Sequence, residues 1–231
     1  MINNYDDFIR ELQQAGFSVG TGGNDEGVFG LLKFGWDEEP LETSIRWHTG
    51  EPDTDPWVWR MRVLSERDDI AYSKVFFRKS GYVTKEWYPY FLAARRGGYA
   101  FDEAYADGII SYNAKRIYEA IIEHGSLPAH ELKSYAGFTR KNKAGFDSAL
   151  TELQMRMYLT LCGERQKLSA KGESYGWPSS LFCTTERFWG EEVFEKASRI
   201  GAKEAEEKIT GQVYKLNPSA DMRKVARFIA G

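Results

Sequence analysis

"GFDSALTELQMRMYLTLCG", residues 145–163, changes periodicity partway along without a break. Phe146, Ala149, Leu150 and Leu153 recur at the three- and four-residue spacing of a helix face, whereas Met157, Leu159 and Leu161 alternate with Tyr158, Thr160 and Cys162 as in a strand. No glycine or proline lies between the two patterns. A helix joined almost directly to a strand is expected, and the flanking segments say what it belongs to.

Upstream, "SYNAKRIYEAIIEHG" (111–125) is the clearest helix in the chain, with Ser111 able to cap it and Gly125 able to stop it. Ala114, Ile117, Tyr118, Ile121 and Ile122 form its apolar face. "SLPAHELKSYAG" (126–137) follows at once as a short helix, with Pro128 near its first turn and Gly137 at its end. The third helix is expected from about Arg140. Beyond the strand, "GERQKLSAKGESYG" (163–176) is a polar, basic loop and "WPSSLFCTT" (177–185) a return strand. The order helix, short helix, helix, strand, basic loop, strand resembles the winged helix-turn-helix fold over residues 108–187, in which the third helix runs directly into the wing.

Three stretches carry a further resemblance: "YFLAARRGGYAFDEAYADGIISYNAKRIYEAI" (90–121), "ELKSYAGF" (131–138) and "FDSALTELQMRMYLTLCG" (146–163). They are similar to the AlkZ-related winged-helix family of bacterial DNA glycosylase relatives, over half to two thirds of the chain. The resemblance implies a DNA partner and a role in DNA repair or maintenance. Members of that family are longer, contain several winged-helix units, and carry a glutamine-centred catalytic motif, Gln-x-Gln or a close variant, near the amino end. Here Gln13 and Gln14 are adjacent within an ordinary helix pattern, so the catalytic residues are not carried over.

A winged helix that binds DNA sets its third helix in the major groove and its wing against the backbone. The candidate DNA-binding residues are therefore Arg140, Lys141, Asn142 and Lys143 at the start of helix three, and Arg165, Lys167 and Lys171 on the wing. Charge is distributed to match. The net charge is −3, but residues 133–171 carry eight basic and three acidic side chains, a balance of +5, while residues 1–60 carry twelve acidic and four basic, a balance of −8. That acidic part would repel a DNA backbone if it lay beside the wing.

The chain has 231 residues, 42% of them hydrophobic and 15% aromatic, ample for a substantial core. Mean hydropathy is −0.53, with no apolar run near the about 18 residues of a membrane span, and the acidic start "MINNYDDFIRELQQ" lacks the layout of a signal peptide, so a cytoplasmic protein is expected. Cys162 and Cys183 sit in apolar, strand-like runs and read as two small buried thiols. His48, His124 and His130 are too scattered to hold a metal, and no cofactor or metal is expected. "GTGGNDEG" (20–27) is a loop; it lacks the Gly-Lys-Ser/Thr of a phosphate loop, and its acids would repel phosphate.

In the amino-terminal part, Tyr5, Phe8, Ile9 and Leu12 make a helix stripe ending at Gly16. Val28 to Phe34, "SIRWH" (44–48) and Trp57 to Val63 read as short strands of an antiparallel sheet. "DDIAYSKVFFRKSG" (68–81) and "TKEWYPYFLAARRG" (84–97) are dense in aromatics with mixed spacing. "EPDTDPWVWRMR" (51–62) offers carboxylates beside aromatics: Asp53 and Asp55 are weak catalytic candidates, and Trp57, Trp59 and Arg60 a possible pocket, with both Trp on one strand face. A buried sheet face is the stronger explanation of two Trp at alternating positions after a Pro turn. Arg95 and Arg96 suit either a phosphate contact or the negative end of a helix.

Phe194, Ala197, Ile200 and Ala205 place a long amphipathic helix over "FWGEEVFEKASRIGAKEAEEKITGQVYKL" (188–216), and another helix follows Asn217 and Pro218. The expected architecture is α+β: an aromatic-rich α+β part (1–104), a winged-helix domain (105–190) and a carboxy-terminal helical segment (191–231). DNA binding leads the functional readings. An active base-excision glycosylase and a non-catalytic ligand- or protein-binding module are the alternatives.

Overall fold

A computed structural model describes residues 1–20, 26–32, 43–139, 145–169 and 171–231. Its opening follows local sequence rules. Helix α1 (Tyr5–Ala15) is capped by Asn4, whose side chain accepts from the Asp7 N–H, and ends at Gly16 in a left-handed conformation (φ 88°). Strand β1 (Phe17–Val19) follows directly.

Helix α2 (Pro56–Glu66) replaces the strand expected at Trp57 to Val63. The start signal is Asp55-Pro56: an N-cap carboxylate followed by a proline whose missing N–H costs nothing at the first helical position. The other two expected strands are also absent, since residues 28–32 and 44–48 are turn or irregular backbone; the remainder of Val28 to Phe34 lies outside the described residues. The sheet is built from later residues. Strands β2 (Ile70–Phe76) and β3 (Lys79–Thr84) form a hairpin, and β1 adds antiparallel to the far edge of β3, giving the order β1-β3-β2.

Both faces of this sheet are buried. Ile70, Tyr72 and Tyr82 face a core shared with Phe8, Leu12 and Trp59, while Phe17, Ala71, Phe76 and Val83 face a second core. Burial on two sides removes the alternation of a half-exposed strand, which is why "DDIAYSKVFF" has mixed spacing.

After α3 (Tyr88–Arg96) and α4 (Phe101–Ala106) comes α5 (Tyr112–His124), capped by Ser111 and closed at Gly125 as expected. Strand β4 (Ser126–Pro128) was not anticipated. It precedes α6 (Ala129–Tyr135), α7 (Phe146–Met155) and the strands β5 (Leu159–Arg165) and β6 (Ser179–Thr184). These strands form a second antiparallel sheet of order β4-β6-β5, with Leu127 and Leu161 both opposite Phe182.

The junction at 155–159 resolves without glycine. Met157, fully buried, takes a left-handed conformation (φ 61°), and its carbonyl oxygen accepts from Arg96 Nη2 and from Thr185 Oγ1. A non-glycine residue there is strained by about 1 kcal/mol, and the two donors hold the turn in place.

The expected long carboxy-terminal helix is three: α8 (Thr185–Trp189), α9 (Glu191–Ser198) and α10 (Ala202–Leu216), followed by α11 (Met222–Ala230). Gly190, at φ 69° and ψ −169°, adopts a backbone only glycine takes readily, and Gly201 is extended. The cores cross the segments named from sequence. The first joins α1, α2 and β2 to Ile117, Leu132, Leu153 and Phe182; the second joins β1, β2 and α3 to Ile209, Val213 and Phe228. The chain is α+β, with two small antiparallel sheets among helices.

Candidate nucleic-acid interface

The β5–β6 hairpin carries the wing candidates. Cys162 is the bulged residue where the ladder shifts between Leu161 and Gly163, and beyond it the loop folds on itself. Gln166 Nε2 donates to the carbonyls of Tyr175 (3.2 Å) and Gly176 (3.1 Å), Tyr175 N donates to Lys167 O (3.1 Å), and Ser169 N to Glu173 O (2.8 Å). This miniature ladder pairs the two sides of the loop. Leu168, Tyr175 and Trp177 are exposed on it, Trp177 at 84%. Arg165 is paired with Glu131 at 3.6 Å; Lys167 and Lys171 have no carboxylate within 4.0 Å among the described residues.

Arg140, Lys141, Asn142 and Lys143 lie outside the described residues. Helix α7 is described, and it is covered on more than the expected side. Phe146, Ala149, Leu150 and Leu153 are buried as anticipated, but Thr151, Gln154 and Met155 are buried as well. Gln154 Oε1 accepts from the backbone N–H of Lys74 on β2 (3.0 Å), so the amino-terminal sheet packs across this helix. Asp147, Ser148 and Glu152 remain accessible.

The helical path of α2 scatters the pocket expected at 53–60. Two residues apart on a helix is about half a turn, so Trp57 and Trp59 face opposite ways. Trp59 is fully buried, stacked on Phe8 (centroids 5.2 Å), with Nε1 donating to Pro52 O (2.9 Å). Trp57 is 45% exposed, with the Arg60 guanidinium 3.4 Å above its ring. Asp55 is fully buried and accepts from the N–H groups of His48 (3.1 Å), Gly50 (2.9 Å) and Trp57 (2.8 Å). Asp53 lies at the surface, paired with Arg62 at 3.0 Å. Trp57 and Arg60 thus stay together outside, while Asp55 and Trp59 go inside.

Gln13 and Gln14 do not share a site either. Gln13 Nε2 donates to Asp69 Oδ2 (2.8 Å), and Gln14 is exposed. Arg95 and Arg96 are internal ties. Arg95 donates to the carbonyls of Ile229 (2.8 Å), Met155 (2.9 Å) and Phe228 (2.8 Å), satisfying the last turns of α7 and α11, and burial pulls its guanidinium down to about 9. Arg96 joins the Met157 carbonyl, Thr185 and Glu186.

Sequence reasoning also missed a groove of about 610 Å³ between α2 and β5, bounded by Asp53, Met61, Arg62 and Glu164, because two segments a hundred residues apart form it. Cys162 lines it, its thiol donating to the Leu181 carbonyl (3.7 Å); interaction between the two free thiols draws Cys162 down and pushes the buried Cys183 up. Among the described residues no group of three or more His, Cys, Asp or Glu is placed to hold a metal, and no helix is long and apolar enough to cross a membrane.

An α+β protein with a basic hairpin and no assembled carboxylate centre at 53–60 is the class this geometry defines. The family model described as AlkZ related matches residues 2–230, nearly the whole chain, and the protein belongs to that family. The match is wider than the half to two thirds read from sequence. No curated protein and no solved structure matches it.

Proposed function

We propose that this AlkZ-related protein is a cytoplasmic DNA-binding protein of repair or maintenance, holding double-stranded DNA through a winged helix formed by residues 105–190. The observation that carries the reading is the β5–β6 hairpin, where Lys167 and Lys171 have no carboxylate within 4.0 Å among the described residues and Tyr175 and Trp177 are exposed on the same loop. Cations suit phosphate and exposed rings suit bases, so the tip combines the two contact types that nucleic acid offers. In this reading Arg165, Arg140, Lys141, Asn142 and Lys143 also contact the DNA. The order α5, α6, α7, β5, β6, with β4 as third strand, supports the winged-helix assignment.

The reading is one of binding. Asp55 is used up as a helix cap and Asp53 is ion-paired, so neither is assigned to water activation in base excision.

The test is fluorescence anisotropy of a labelled DNA duplex across a salt series, with the wild type, Lys141→Glu with Lys143→Glu, and Lys167→Glu with Lys171→Glu. Affinity linear in log salt, lost in both reversals, is expected. A wild type that ignores duplex even at low salt would sink the proposal.

A further inference from the structure

A cavity of about 460 Å³ opens where the β2–β3 turn, the end of α7 and α11 meet. Three arginines from these three elements line it: Arg78, Arg156 and Arg227. Among the described residues none of the three has a carboxylate within 4.0 Å, although the lining includes Glu152. Both Glu152 oxygens are already engaged, accepting from Ser111 N (2.9 Å) and Ser111 Oγ (2.7 Å). The cavity therefore gathers three positive side chains against one committed negative one. Like charges gathered in one cavity repel each other and favour an anion among them.

The turn that supplies Arg78 is built against local preference. Phe77 and Arg78 form the two-residue loop between Phe76 and Lys79, and both are left-handed, at φ 52° and 62°. Loops of this kind favour Asn-Gly, which adopts the conformation freely. Here a bulky aromatic and an arginine take the strain, and both side chains border the cavity. Arg78 Nη2 donates to Ser148 Oγ at 3.1 Å, which leaves the serine hydroxyl proton available to a further acceptor. Arg227 lies over the Phe77 ring, 5.7 Å from its centroid.

We infer that this cavity is a phosphate-binding site, in which Arg78, Arg156 and Arg227 grip the oxygens of one phosphate group and Ser148 donates to it. Guanidinium forks match tetrahedral oxyanions in a way single ammonium groups do not. Two sources share the chemistry, a DNA backbone phosphate and a free phosphate ion. The DNA source rests on the function proposed above; the site itself does not.

The experiment compares the wild type with Arg78→Gln plus Arg227→Gln, and with the conservative Arg78→Lys plus Arg227→Lys, in two assays. Thermal unfolding is measured in inorganic phosphate against chloride at equal ionic strength. Anisotropy is measured on a labelled DNA duplex over a salt series. Phosphate should raise the Tm of the wild type and not of the glutamine variant, with the lysine variant between them. If DNA supplies the phosphate, the glutamine variant loses about tenfold in affinity and its log-log salt slope falls by about 2.

A lost phosphate response with unchanged DNA binding supports the site and assigns it to free phosphate. A phosphate response in a wild type that does not bind DNA supports the site while the DNA-binding reading fails. A folded glutamine variant that matches the wild type in both assays overturns the inference. Should the double variant not fold, Arg227→Gln alone, exposed and with only an aromatic neighbour, is read in the same assays by the same criteria.

Discussion

The Thr185 hydroxyl donates to the carbonyl oxygen of Met157 at 2.7 Å, tying the start of α8 to the left-handed residue at which α7 gives way to β5. Arg96 joins the same oxygen and also donates to Thr185 Oγ1 at 2.8 Å. A conformation that local sequence disfavours is thus held by contacts from residues about 30 and 60 positions away. Replacing Thr185 by Val keeps the volume and removes the donor, so it should cost about 1–3 kcal/mol, while Thr185→Ser should cost less. Urea denaturation with an unchanged m-value is the measurement; a neutral valine variant would show that Arg96 alone suffices.

Trp57 and Trp59 should behave as opposite faces of a helix. Trp59→Ala removes a fully buried ring and should destabilise by about 3–5 kcal/mol, whereas Trp57→Ala loses an exposed cation–π pair and should cost about 1 kcal/mol or less. Equal losses in chemical denaturation would point back to a common strand face.

Asp55 should be a stability residue. Asp55→Ala strips three N–H groups of their acceptor and should cost about 2–4 kcal/mol, and Asp55→Asn, which keeps one carbonyl oxygen, about half of that. At a temperature where Asp55→Asn remains folded, its DNA affinity should equal that of the wild type. Weaker binding by a folded variant would move Asp55 back into the interface.

Acid should erase the contribution of Asp69. Its hydrogen bond from Arg67, with a second from Gln13, holds the carboxyl below its usual value. A depressed folded pKa means that the stabilisation is complete above the unfolded carboxyl pKa, near about 4, and fades as pH falls through the folded value. The Tm gap between wild type and Asp69→Asn should therefore be constant at neutral pH and shrink below about pH 4. A gap unchanged at pH 2 would show that the pairing does not shift Asp69.

Elements that close their own caps were legible in the chain. Helix α5 declared both ends through Ser111 and Gly125, α1 ended at Gly16, and the switch at 155–159 was visible as a change of period. Helix α2 has a local start signal in Asp55-Pro56, but tryptophans two apart imitate a strand face and obscure it. Lys167 and Lys171 are legible in the sequence as part of one basic loop. The three-arginine cavity is not, since Arg78, Arg156 and Arg227 are about 70 residues apart and no periodicity links them.

What the sequence determined by itself is the set of local elements with their own start and stop signals, the α+β class, and the separation of an acidic amino-terminal part from a basic region at 133–171. Tertiary structure alone decided that β2 and β3 form a sheet buried on both faces, that this sheet covers α7, and that Arg95 and Arg96 serve helix ends and a strained turn. The reason is range. Caps and periodicity act within about one turn of chain, whereas two-sided burial and shared carbonyls depend on residues that meet only after the chain has folded.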